Sequence, residues 1–115
     1  MRYGSIYRTS FKVRWNLRGL VQDHHVIPRQ FKTHPIIQKY DYDMNASSNI
    51  IMMPTLHGKN VLNVRDDRLV HSGTHHKYNT YVQFMLNSIK SEDDLNKFVS
   101  FLKESCRYNP NQIPW

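Results

Sequence analysis

Histidines supply the clearest chemical signal in this sequence. The chain has 115 residues and seven of them are histidine. Four have an informative spacing: His24 and His25 are adjacent, and His71 and His75 are four residues apart. Neutral imidazole binds divalent metals, and its pKa lies near neutrality, so it can also accept a proton from water. Metal binding and general-base catalysis are therefore the chemistries to weigh.

The pair His71 and His75 fits one face of a helix. Side chains advance by about 100° per residue, so four residues bring the second to within about 40° of the first. Two imidazoles at this spacing can hold one metal ion. By the same geometry His76 lies about 140° from His71 and is the poorer ligand. Ser72 and Gly73 favour an alternative in which the helix starts later and His71 lies on the preceding turn.

The pair His24 and His25 is predicted to lie on a strand, where neighbouring side chains point to opposite faces. One imidazole can then bind a metal while the other does a different task. Three histidine ligands leave coordination positions open for water and substrate, which is typical of catalytic sites. With a fourth imidazole as base, the set suits metal-assisted hydrolysis of phosphodiesters. Each pair alone is weak evidence, and the combination is stronger.

Charge and composition favour a polyanionic partner. The net charge is +7; residues 1–40 carry eight Lys/Arg against one acidic residue, whereas residues 41–115 carry eight of each. Such asymmetry is typical of nucleic-acid binding, although a solvated basic surface is the alternative.

The single cysteine excludes an internal disulfide and suits a reducing compartment. With no apolar span or signal-peptide pattern, we expect an intracellular protein without a membrane partner.

The hydrophobic pattern predicts one α+β domain. The predicted strands are Ser5–Val13, Leu20–Ile27 and Asn49–Met53. Helices are expected over Thr33–Tyr40, with Thr33 as cap, over His71–Ile89, and after the N-cap Ser91. Asp41–Ser48 and Thr55–Asp67 are predicted loops, and Tyr108–Trp115 an irregular tail.

Three segments resemble the HNH, or His-Me finger, nucleases. HHVIPRQF at 24–31 looks like their first strand and turn, and NIIMMP at 49–54 like their second strand. HSGTHHKYN at 71–79 is similar to their helix in the form of the AHH branch. The resemblance covers about residues 21–88. It implies a ββα-metal core, here with an added N-terminal strand and a C-terminal helix. The implied organisation is a basic extension packed on the domain at 1–20, the nuclease core at 21–88, and the helix and tail at 89–115.

The resemblance also implies roles for individual residues. His25 matches the general base that deprotonates the attacking water. His24, His71 and His75 match the ligands of one divalent ion. Asn49 matches the asparagine that hydrogen-bonds the backbone of the first motif and fixes its loop. His76 leaves open which neighbour is the third ligand.

The sequence departs from the AHH branch at one position. Asp23 stands where that branch often has alanine. It could hydrogen-bond a histidine or serve as an extra ligand, but we favour a solvated strand residue.

Basic residues near the motifs are candidates for contacts with nucleic acid. Arg29, Lys32 and Lys77 lie beside the site in sequence, and Arg14 and Arg18 belong to the basic N-terminal part. Such side chains contact phosphates without reading bases. Solvated charge is the alternative for each.

The ligand set leaves the ion open. Three imidazoles favour Zn²⁺, Ni²⁺ or Mn²⁺, whereas Mg²⁺ prefers oxygen. Members of the resembled family work with different ions.

The preferred function is a metal-dependent endonuclease acting on double-stranded DNA rather than RNA. One alternative is a non-catalytic nucleic-acid-binding module with a structural zinc, which needs four protein ligands. Another is an RNA-cleaving, toxin-type nuclease, and an immunity protein is expected as a partner only in that case. A homodimer stays open.

Overall fold

The computed structural model describes residues 1–71 and 75–115. These residues form a small α+β domain with a two-stranded antiparallel sheet and several helices. The elements in chain order are α1 (Ile6–Arg14), β1 (Val21–His25), α2 (Pro35–Lys39), β2 (Ile50–Pro54), α3 (Leu56–Val61), α4 (His76–Ser88) and α5 (Glu92–Tyr108). Short 3-10 turns cover Arg29–Phe31, Ser47–Asn49 and Pro110–Gln112, the last within the predicted irregular tail. Among the described residues, no helix is long and apolar enough to cross a bilayer.

Strands β1 and β2 pair antiparallel and confirm the second and third predicted strands, with slightly different bounds. His24 lies opposite Ile51, and His25 lies opposite Ile50. Ile51 is 1% exposed, so the hairpin is anchored in the core through β2. The histidines of β1 are consequently held on a rigid element.

Helices α4 and α5 complete the core. In α4 the buried residues recur at four-residue spacing, at Tyr78, Val82 and Leu86. The Tyr78 hydroxyl donates to the carbonyl of Val26, directly after β1, which ties α4 to the hairpin. The α5 prediction is confirmed: the Ser91 hydroxyl accepts from the Asp94 N–H at 3.1 Å. The buried stripe of α5 includes the predicted residues Leu95, Phe98, Val99 and Leu102.

The predicted N-terminal strand, Ser5–Val13, is wrong, because this segment forms helix α1. The Ser5 hydroxyl caps the helix by accepting from the Arg8 N–H at 3.2 Å. Arg8 and Lys12 are four residues apart, so the helix places both on one face. There they contact the carboxylate of Asp23 at 2.9 Å and 3.1 Å. This tertiary ion pairing outweighs the strand propensity of the Tyr, Phe and Val residues.

Two further local predictions need correction. Helix α2 is present within Thr33–Tyr40, but its N-cap is His34, whose Nδ1 accepts from the Ile36 N–H at 3.2 Å. An imidazole therefore replaces the hydroxyl that the sequence pattern suggested.

The segment Thr55–Asp67 is not entirely a loop, because it begins with α3. The Thr55 hydroxyl accepts from the Gly58 N–H at 2.9 Å and caps this helix. A Cβ on Gly58 would lie only 1.7 Å from the carbonyl oxygen of Leu20. The missing side chain thus allows α3 to pack directly on the backbone that enters β1.

Candidate metal centre and active site

Three imidazoles converge from separate parts of the chain. His24 lies on β1, His71 lies in the segment after β2 and α3, and His75 immediately precedes the first residue of α4. One ligand atom from each lies within 4.8 Å of the others. The ring centroids are 5.0–5.7 Å apart. This spacing suits three nitrogen donors around a single ion.

His24 is the most buried of the three and has the strongest electrostatic signature. His24 is only 3% exposed. Its buried Nε2 has no hydrogen-bond partner among the described residues. Burial, together with the neighbouring imidazoles of His71 and His75, lowers its pKa from 6.5 to about 3. The ring is therefore neutral at physiological pH and offers a lone pair, as a metal ligand must. An unpartnered buried nitrogen is costly unless something binds it.

His71 is oriented by a residue that sequence reasoning missed. Its backbone N–H donates to the carbonyl of Pro54 at 2.9 Å, which continues the edge of β2. Its Nδ1 donates to Oε1 of Gln22 at 2.7 Å, which leaves Nε2 free to bind a metal. Gln22 precedes His24 by two residues on β1, so strand alternation places both on one face. That alternation was the available signal.

The prediction that His71 and His75 share one helix face is wrong. Helix α4 begins at His76, and the carbonyl of His75 accepts the N–H of Asn79 at 2.8 Å. His71 lies before the helix, as the alternative reading suggested. Ser72 and Gly73, invoked in that alternative, lie outside the described residues. The two rings meet because the chain docks against β2, not because of helical periodicity.

His76 points elsewhere. It is exposed at the start of α4 and lines a surface hollow together with Lys77 and Phe84. His75, in contrast, lies in the histidine cluster. The geometry therefore favours His75 over His76 as the third donor.

His25 follows His24 on β1 and is half-buried. Its Nε2 donates to Oδ1 of Asn45 at 3.0 Å, and its ring packs against the edge of Tyr3 at 4.6 Å between centroids. Burial lowers the pKa of His25, although the hydrogen bond to Asn45 opposes this shift. A neutral ring with one nitrogen engaged keeps the other available to accept a proton.

The four histidines border the same open hollow of about 280 Å³. Arg29 and Asn79 also line it. The cluster and His25 are thus reachable by a single substrate at the end of β1.

Asn49 lies beneath this end of the strand and is fully buried. Its Oδ1 accepts the N–H of Ile27 and the hydroxyl of Tyr42, both at 2.8 Å. Its Nδ2 donates to the carbonyls of Ile27 at 3.1 Å and Met44 at 2.8 Å. A single amide therefore joins the segment after His25 to the loop before β2.

Asp23 is not the solvated residue that we favoured. Its side chain is only 9% exposed and pairs with Arg8 and Lys12 of α1. As neighbours of His24 on a strand, Asp23 and the histidine point to opposite faces. Its carboxylate therefore holds α1 through these ion pairs, while Asp23 also borders the hollow beside the histidines.

The predicted contacts to nucleic acid are spread over the surface. Arg29 is exposed at the hollow, with its guanidinium 5.5 Å from the centre of the Tyr3 ring. Lys77 is exposed in the first turn of α4, and Lys32 is exposed after β1. Arg14 lines a different hollow, on α1, and Arg18 is exposed beyond it. Arg29 is therefore the basic residue that the structure places at the histidines.

A hairpin and a helix that bring a histidine cluster together beside a further imidazole are consistent with the HNH nuclease superfamily. A family model described as AHH, a nuclease family of the HNH/ENDO VII superfamily with conserved AHH, matches residues 12–104. The chain belongs to this nuclease family. A nuclease acts on nucleic acid, and nucleases of this superfamily depend on a metal. No curated protein and no solved structure matches the chain.

Proposed function

We propose that this protein is a metal-dependent endonuclease that hydrolyses phosphodiester bonds in DNA. One observation carries the proposal: donor atoms of His24, His71 and His75 lie within 4.8 Å of one another, and the buried Nε2 of His24 has no other partner in the described chain. We take β1, β2 and α4 as the ββα-metal core, with residues 1–20 packed on it as an extension and residues 89–115 as a C-terminal helix and tail.

In this proposal the three imidazoles hold one divalent ion and leave further coordination positions open. The bound ion would stabilise negative charge on the phosphate and on the leaving oxygen. All three donors are nitrogen, which favours Zn²⁺, Ni²⁺ or Mn²⁺ over Mg²⁺.

His25 is the proposed general base. It borders the hollow beside the cluster and is kept neutral by burial, so it can take the proton of an attacking water. Asn49 has a supporting role, because it fixes the backbone of Ile27 two residues beyond the base.

In this proposal, substrate binding rests on basic residues of the N-terminal third together with Lys77 of α4. Arg29 would contact the phosphate next to the scissile bond, and its place in the hollow with the histidines supports this role. Lys32, Lys77, Arg14 and Arg18 would contact phosphates further along the strand. The exposed positions of these four residues support binding to the phosphate backbone of the nucleic acid, without dependence on the base sequence.

The test is cleavage of supercoiled plasmid by the purified protein with Mg²⁺, Mn²⁺, Zn²⁺ or Ni²⁺. We expect metal-dependent nicking that EDTA abolishes. His25→Ala should lower the cleavage rate by about 100-fold or more, while calorimetry shows nearly unchanged metal affinity. His57→Ala, at an exposed histidine on α3, is the matched control and should cleave normally.

Three outcomes discriminate among the alternatives. Full activity of His25→Ala overturns the base assignment. Absence of cleavage with every ion, together with four protein ligands around a bound zinc, favours a structural-zinc module. Faster cleavage of RNA than of plasmid or single-stranded DNA overturns the DNA substrate and favours the RNA-cleaving alternative.

A further inference from the structure

We infer that Asn45 and Tyr3 are positioning residues for His25, holding its imidazole from two sides in the orientation that a base requires. This inference rests on the proposed function of His25. Asn45 binds Nε2 of the ring, and Tyr3 packs against the ring itself. Neither residue belongs to the motifs that carry the histidines.

Asn45 selects the tautomer of His25. Its Oδ1 accepts a hydrogen bond at 3.0 Å, so Nε2 must carry the proton and Nδ1 keeps its lone pair. The free nitrogen is then the atom that can accept a proton from water. Without this acceptor the neutral ring would distribute between both tautomers, and part of the population would present the wrong nitrogen.

The acceptor itself is held firmly. The N–H of Asn45 donates to Oδ1 of Asp43 at 3.1 Å, and its carbonyl accepts the N–H of Tyr3 at 2.9 Å. Asp43 in turn pairs with Arg2. The N-terminal segment and the loop before β2 are therefore tied together at the residue that contacts the base.

Tyr3 packs between two functional side chains. Its ring meets the edge of the His25 ring at an interplanar angle of 61°, and the guanidinium carbon of Arg29 lies 5.5 Å from the centre of the same Tyr3 ring. Such aromatic and cation–π contacts restrict both partners. Tyr3 thus limits rotation of the base and keeps the phosphate-contacting Arg29 nearby.

The docking of α1 explains why Tyr3 reaches the site. Arg8 is 5% exposed, pairs with Asp23, and donates from Nη1 to the carbonyl of Met1 at 3.1 Å. Asp23 directly precedes His24 and His25, where the AHH branch that the sequence resembles often has alanine. The family match begins at residue 12, beyond Tyr3 and Arg8. The N-terminal support of the base therefore rests on contacts seen in this structure and not on the matched family motif.

The first experiment measures the tautomer without any cleavage. Long-range ¹H–¹⁵N correlation spectra are recorded on the full chain loaded with diamagnetic Zn²⁺, at about pH 8 to keep imidazole neutral. We expect His25 to carry its proton on Nε2 in the unmodified protein and in Asn45→Asp, which keeps an acceptor oxygen. Asn45→Ala should give a mixture of tautomers. An Nδ1-protonated His25 in the unmodified protein overturns the inference.

The second experiment separates positioning from binding. Residues that orient a functional group without touching the substrate contribute about 10- to 100-fold to activity, so Asn45→Ala should lower kcat by that range and leave KM unchanged. Tyr3→Ala should lower kcat by a similar factor and also raise KM, because it removes the ring against which Arg29 packs. Asn45→Asp keeps the acceptor oxygen and Tyr3→Phe keeps the ring, so both variants should retain most of the kcat of the unmodified protein. Ser47→Ala, an exposed change in the same loop as Asn45, is the control.

The outcomes of this series are distinguishable from failure of the proposed function. If the unmodified protein cleaves and Asn45→Ala keeps both its kcat and its tautomer, the positioning role is wrong and the nuclease stands. If the conservative variants lose as much rate as the alanine variants, the effect is structural and the inference is again wrong. If the unmodified protein never cleaves nucleic acid, both the function and the inference fail.

Discussion

The indole ring of Trp115 lies against the imidazole of His75, with ring centroids 4.2 Å apart and planes inclined by 35°. The same indole is 5.4 Å from the His24 ring, and its Nε1 donates to the carbonyl of Val70 at 3.3 Å. Trp115 lies beyond residue 104, where the family match ends. Trp115 therefore packs against two of the three candidate ligands.

This contact makes Trp115 a reporter of metal binding. An ion with an unfilled d shell quenches a nearby indole, so Ni²⁺ should quench Trp115 fluorescence in a saturable way, with one ion per chain. The background is Trp15→Phe, because Trp15 is the only other tryptophan and is 60% exposed. Zn²⁺, with a filled shell, should quench much less.

The control for this experiment is His71→Ala in the same background, which should lose the saturable response. If calorimetry detects a bound ion but the fluorescence of Trp115 does not respond, the ion is not at His75 and the proposed ligand set is wrong.

Metal binding should stabilise a fold that does not require the metal. The core is a continuous cluster of buried apolar residues, including Tyr78, Leu95 and Leu102, and it does not depend on the histidines. An ion at about 100 times its Kd adds about 2.7 kcal/mol, equivalent to a rise in Tm of roughly 10 °C. EDTA should remove that increment and leave a cooperative unfolding transition, measured by circular dichroism.

In these thermal measurements, His71→Ala should lose the metal-dependent rise in Tm, and His57→Ala should retain it. Unfolding of the chain by EDTA at room temperature would contradict the prediction, since that behaviour is typical of a structural ion.

The contrast between the hairpin and the N-terminal segment shows what the sequence could predict. Strand β2 and helix α5 were predictable because burial of their apolar faces follows the local pattern. Helix α1 was not, since its buried residue is Arg8, whose partner Asp23 is remote in sequence and only folding brings it close. The Tyr, Phe and Val residues of this segment favoured a strand, and nothing in the local sequence indicated the ion pair.

The candidate site shows the same contrast between residues that the local sequence predicts and contacts that only folding creates. His24 and His25 could be found from motif and spacing, but their supporting contacts could not. Gln22 binds a histidine 49 positions away, and Asn45 binds one 20 positions away. Strand alternation indicates that Gln22 shares a face with His24, but the distant residue that each side chain contacts depends on how the segments dock.

Asn49 should be essential for stability. Replacing it with alanine leaves the N–H and C=O of Ile27 and the carbonyl of Met44 without their partner in a buried region. Each buried unsatisfied group costs about 1–3 kcal/mol, so Asn49→Ala should lower the free energy of unfolding by about 3 kcal/mol or more. Urea denaturation measures this loss, and the exposed neighbour Ser48→Ala should change it little. A loss below about 1 kcal/mol would contradict the burial of this network.

Cys106 should resist thiol reagents until the protein unfolds. It is fully buried on α5, and burial raises its pKa from 9.0 to about 12, so the reactive thiolate is absent at neutral pH. Ellman's reagent should therefore react at a rate that rises with urea in parallel with the unfolded fraction. The raised pKa also means that the unfolded chain releases the Cys106 proton at lower pH than the native protein. The stabilisation associated with this group is thus complete below pH 9 and is lost between pH 9 and about 12.

The control for that prediction is Cys106→Ala, which should give no colour with Ellman's reagent at any urea concentration, because the chain has no other cysteine. The stability difference between the unmodified protein and this variant should shift against the unmodified protein as the pH rises above 9, because only the unmodified chain has a thiol to ionise on unfolding. Rapid labelling of the native protein at neutral pH would show that α5 opens locally, and would contradict the complete burial of Cys106 in the core.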